Sequence, residues 1–114
     1  MNNSHLDQLT KLLKRARPRL ASTHELEFKN VFGAVGGYVN GNIFISCGTF
    51  GVALRLPPET LERVFREKGV RQLKYFPKGH IKKEYAVLPT WILDDTKQFG
   101  ALVDVSIGYA YGKQ

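Results

Sequence analysis

Cysteine is nearly absent: Cys47 is the only one, so no internal disulfide forms and no cysteine cluster can hold a metal. Ser46 and Gly48 beside it supply no cation or helix N-terminus to activate the thiol. Cys47 therefore reads as a small buried side chain in a strand Ile43–Cys47. Long apolar runs are missing as well, which excludes a membrane-spanning helix and makes a membrane partner unexpected. Met1–Lys14 scatters charges where a secretory signal needs an unbroken apolar stretch, so the cytoplasm is the expected location. Histidine is sparse: His5, His24 and His80 stand far apart, and no His-x-x-x-His pair offers a metal site. The only adjacent acids, Asp94-Asp95, are accounted for by helix capping. No nucleophile is paired with a base, so no catalytic residue, cofactor or enzymatic activity is expected.

What is present describes an ordinary folded chain. It has 114 residues, 43% hydrophobic and 24% charged, enough for one domain over 1–114 with its own core. Lys and Arg number 17 against 10 Asp and Glu, a net charge of +7 that favours anionic partners without specifying a fold.

Periodicity supplies the elements. Ser4 and Asp7 form a capping signal, and Leu6, Leu9, Leu13, Ala16 and Leu20 follow on one helical face until Pro18 ends or kinks it. From Glu25 the period falls to two, with Leu26 and Phe28 alternating against Glu25, Glu27 and Lys29. Val52, Leu54 and Leu56 mark another strand, opposite Arg55. Pro57-Pro58-Glu59 opens a second helix, with Leu61, Val64 and Phe65 as its apolar stripe and Gly69 closing it. Strands are expected at Gln72–Phe76 and Ile81–Leu88. A last helix after Asp94 or Asp95 carries Phe99, Leu102, Val103 and Ala110 inward, weakened by Gly100 and Gly108, with Tyr109–Gln114 fraying. Short links favour antiparallel pairing. The expected fold is α+β, a mainly antiparallel sheet of about five or six strands with helices packed on it, in the order α-β-β-β(-β)-α-β-β-α.

The stretch FKNVFGAVGGYVNGNIFISC packs Gly33, Gly36, Gly37 and Gly41 between aromatics. A phosphate loop would need lysine and a hydroxyl after its last glycine, but Asn42 and Ile43 follow Gly41. A dinucleotide fingerprint would need a helix next, where the pattern continues as strand. Asn40-Gly41 is instead a type I′ hairpin turn, and Gly33, Gly36 and Gly37 permit a bulge or positive φ between strands. A further turn is expected at Gly48-Thr49-Phe50-Gly51.

Together VFGAVGGYVNGNIF, GVALRLPPETLERVFREKGVRQLKY and KGHIKKEYAVLP, followed by an acid-capped last helix, resemble the TfoX N-terminal domain family. Phe32-Gly33, Gly37-Tyr38, Asn40-Gly41, Phe44, Leu54-Arg55-Leu56, Gly69, Lys78-Gly79, Tyr85 and Leu88-Pro89 carry the likeness over roughly Leu6 to Ala110. It departs at Ala34, where the family usually has a second glycine, at Asn30-Val31 and at Lys83. The resemblance implies a regulatory domain acting with transcription factors in competence, through protein contacts and as a homodimer. The family's regulators carry a second, C-terminal domain, so a stand-alone single-domain member is expected here.

Nucleic acid is the rival partner. Lys11, Lys14, Arg15, Arg17 and Arg19 cluster without an acid, and so do Arg71, Lys74, Lys78, Lys82 and Lys83, with Tyr75 and Phe76 interleaved. Such stretches can neutralise phosphates and stack on bases, or can simply be solvated faces and lysine-guarded edges.

Overall fold

A computed structural model describes residues 3–74 and 78–112. Eleven elements follow one another: α1 Asn3–Ala16, α2 Leu20–Thr23, β1 Leu26–Val31, β2 Ala34–Val39, β3 Asn42–Gly48, β4 Gly51–Arg55, α3 Pro58–Val64, β5 Arg71–Leu73, β6 Lys82–Leu88, α4 Thr90–Leu93 and α5 Thr96–Tyr111. The strands form one six-stranded sheet in the order β1-β2-β3-β4-β6-β5, antiparallel at every pairing. This is the expected α+β architecture, with four strands before the α3 helix.

Three two-residue links build the first four strands. Phe32 and Gly33 have φ of 50° and 81°, and Asn40 and Gly41 have 49° and 85°, so both hairpins turn on paired positive φ, the type I′ pattern. Asn40 adds its own clamp, its Oδ1 accepting from the Glu25 amide while its amide donates to the Glu25 carbonyl. Thr49-Phe50 links β3 to β4 as expected.

One face of the sheet carries the core. α1 and α5 lie over β3, α5 also covers β4, and α3 lies over β6. Leu9, Leu13, Phe44, Ile45, Cys47, Leu54, Phe99 and Val103 meet there, all buried. The opposite face holds a smaller cluster, Ala53, Leu73 and Val87, with Phe50 and Tyr85 packed against it.

The bulge falls at Gly37/Tyr38, where the β2–β3 register passes from Gly37↔Ile45 to Tyr38↔Ile43 and leaves Phe44 without a Cα partner. Phe44 and Ile45 consequently both enter the core. The Phe44 carbonyl accepts instead from the buried Ser106 hydroxyl on α5, at 2.7 Å. Gly37 is needed for packing: a Cβ there would lie 2.6 Å from Ile45 Cγ2.

Several expectations are corrected. Ser4 lies inside α1, and Leu20, though buried, begins the separate α2 because Pro18 breaks the first helix. Phe65 caps α3 and is exposed. Gly69 takes φ of 88° beyond a further turn and not directly at the helix end. The Gln72–Phe76 strand begins at Arg71 and is assigned only to Leu73, and Tyr75 and Phe76 lie outside the described residues. Helix α5 continues through Tyr111 where fraying was expected. Short α4, following Pro89, was not foreseen. Asp95 does cap α5, accepting from the Gln98 amide at 3.0 Å.

Candidate functional site

The glycine segment makes hairpins. Gly33 sits in the β1–β2 turn, Gly36 and Gly37 lie within β2, and Asn40-Gly41 turns the chain into β3, so a strand leaves the segment where a phosphate loop would launch a helix. Gly36 is also closely packed, though less so than Gly37, its hypothetical Cβ lying 3.0 Å from Ile43 Cδ1.

The two basic stretches are not brought together. The first runs along α1 into the turn that follows, over β2 and β3. The second lies on β5, β6 and the segment between them, at the far side of the sheet. Within the first, Arg17 forms an ion pair with Asp104 on α5. Arg15 approaches Asp94 at 3.7 Å and donates to the Leu93 carbonyl. Two of the five cations thus tie the end of α1 to α4 and α5, while Lys11, Lys14 and Arg19 are exposed. In the second, Arg71 donates to the Phe50 carbonyl at 2.8 Å, and Lys74, Lys78, Lys82 and Lys83 are exposed.

A polar network escaped sequence reasoning. Arg55 contacts Glu84 Oε1 through Nε at 3.2 Å and through its terminal nitrogen at 3.1 Å. Tyr109 donates to Glu84 Oε2 at 2.5 Å, and the Arg55 guanidinium lies 5.8 Å from the Tyr109 ring centroid. Arg55 also donates to the Ile43 carbonyl. The signal was present: a lone arginine in the apolar run Val52–Leu56 and a lone acid between Arg71 and Leu88. Both oxygens of this carboxylate are engaged by the chain, which makes it a strut joining β4, β6 and α5. Among the described residues, no group of three or more metal-ligating side chains gathers. Burial raises the pKa of the Cys47 thiol, which keeps it protonated and unreactive.

The β1 edge is a further accessible feature. In the described sheet β1 pairs only with β2, leaving its other side open along six residues. A cleft of about 270 Å³ runs beside it, floored by Leu13, Leu20, Leu26 and Phe28, with Lys14 and Arg17 among its walls. A smaller one, about 50 Å³, lies on the other flank of Phe28, between Leu6, Asn30 and Val35. On the opposite face Lys29 sits 3.8 Å from Glu27 and 4.9 Å from the Tyr38 ring centroid. An open strand flanked by apolar clefts can accept another strand.

Comparison with known proteins agrees with the fold. No curated protein and no solved structure matches the chain. The family model for the TfoX N-terminal domain matches residues 19–110, which take in every strand and the helices from α2 to all but the last residue of α5. The chain belongs to the TfoX N-terminal domain family.

Proposed function

We propose that this chain is a non-catalytic regulatory module that works by binding proteins, in transcription or competence control, and that it pairs with a second copy of itself. The observation that carries this reading is the open β1 edge with its apolar clefts. It offers backbone hydrogen bonds and side-chain pockets together, the two things strand addition uses. The engagement of Glu84 and the burial of Cys47 argue in the same direction, because each removes a group that catalysis would draw on.

A direct role on nucleic acid is the second reading, favoured by the exposed lysines at positions 11, 14, 74, 78, 82 and 83 and the +7 net charge. One experiment separates the two. The intact chain is used as bait in cell extract, with and without nuclease, and retained proteins are identified. Recovery of transcription proteins that survives nuclease supports the regulatory contact. Material lost on nuclease treatment, together with binding to duplex DNA or RNA that weakens steeply with salt, replaces it with the second reading. Retention of nothing above an empty-matrix control overturns the regulatory contact.

A further inference from the structure

We infer that β1 pairs antiparallel with β1 of a second copy about a two-fold axis at Phe28, joining two sheets into one. The inference rests on the homodimer reading above and gives it an interface and a register.

Backbone geometry limits the choices first. Antiparallel ladders alternate pairs that exchange hydrogen bonds with pairs that do not, and the residues flanking a two-residue hairpin turn exchange them. Val31 and Ala34 flank the Phe32-Gly33 turn, so Val31, Lys29 and Glu27 bond to β2. The Glu25–Asn40 amide bond falls in the same phase. Leu26, Phe28 and Asn30 therefore direct their amides and carbonyls to the open side. A second strand must place its own outward residues opposite these.

Charge then selects among the symmetric registers. A two-fold at Glu27 sets the two copies' glutamates directly opposite, and one at Lys29 sets lysine against lysine, which is unfavourable at this spacing. A two-fold at Phe28 sets Glu27 opposite Lys29 of the second copy, and Lys29 opposite its Glu27. Both ion pairs lie on the face away from the helices, where Lys29 already neighbours Glu27. On the helix face Phe28 meets Phe28 of the second copy, and Leu26 meets Asn30. Phe28 is half-buried and lines both clefts, so the aromatic pair closes apolar surface that water otherwise covers. A strand that is complementary to itself in charge, bonding phase and apolar surface fits a second copy of this chain.

The opposite edge offers less: β5 is three residues long, and its register breaks between Gln72 and Leu73.

Sedimentation of the intact chain across concentration tests the interface, using Glu27→Lys, Lys29→Glu and the double exchange. The wild type is expected to approach twice its 12.9 kDa mass as concentration rises. Each single reversal sets two like-charge pairs across the axis and should weaken pairing roughly tenfold or more. The double exchange restores opposite charges and should recover the dimer. A mixture of the two single variants should form a heterodimer, because one then carries two cations and the other two anions. Unchanged circular dichroism, with thermal midpoints compared at dilution where the wild type is monomeric, confirms that the variants fold. A dimer indifferent to all these changes overturns the β1 interface and leaves self-association standing. A monomer up to ~1 mM wild-type chain overturns both.

Discussion

Gly37 and Cys47 show how closely single residues are determined by their surroundings. Adding a methyl group at Gly37 would bring it against Ile45, which is fully buried and cannot swing away. The entropic gain of replacing glycine in a strand is about 0.5–1 kcal/mol, whereas overpacking a core costs about 1–3 kcal/mol. Gly37→Ala should therefore lower the urea midpoint despite its better backbone propensity. At Cys47, burial holds the folded thiol protonated above the pH at which an unfolded thiol ionises, about 8.5. Its contribution to stability is full below that pH and is lost as pH climbs toward the folded value. Denaturant titrations should show an alkaline decline that Cys47→Ala reduces, and thiol reagents should react quickly only with unfolded chain.

Helices and strands reveal what a one-dimensional pattern can carry. The β1 alternation, the Asn40-Gly41 turn and the Asp95 cap were legible because each depends on residues close in sequence. The bulge at Phe44 and its hydroxyl partner were not, because Ser106 lies 62 positions away and only the folded sheet brings it near. Ser106→Ala would leave the Phe44 carbonyl without that bond in a buried site, and should cost about 1–3 kcal/mol in thermal or chemical unfolding. The two glycines of α5 look equivalent in sequence, each a cost of about 1 kcal/mol relative to alanine. The fold separates them. A Cβ at Gly100 would lie 3.1 Å from the Ala16 carbonyl oxygen, so this glycine lets α1 and α5 approach, while nothing stands within 4 Å at Gly108. Gly108→Ala should stabilise by up to about 1 kcal/mol, and Gly100→Ala should destabilise, read as opposite shifts in thermal midpoint.

At the scale of the whole molecule, the sequence carried the fold class and the family likeness but did not locate the site. The two basic stretches were equivalent candidates for a nucleic-acid partner in the sequence, but α1 and β5 occupy separate parts of the fold, and Arg15 and Arg17 serve as ties between helices. The β1 edge was hidden because strand order is set by long-range pairing: Leu26–Val31 reads like any half-buried strand until its neighbours are known. Residue-resolved hydrogen exchange along β1, followed from dilute to concentrated protein, tests this account most directly. Amides of Glu27, Lys29 and Val31, bonded to β2, should be protected at every concentration. Those of Leu26, Phe28 and Asn30 should exchange rapidly when dilute and become protected as copies pair. Rapid exchange of these three at every concentration would contradict the account.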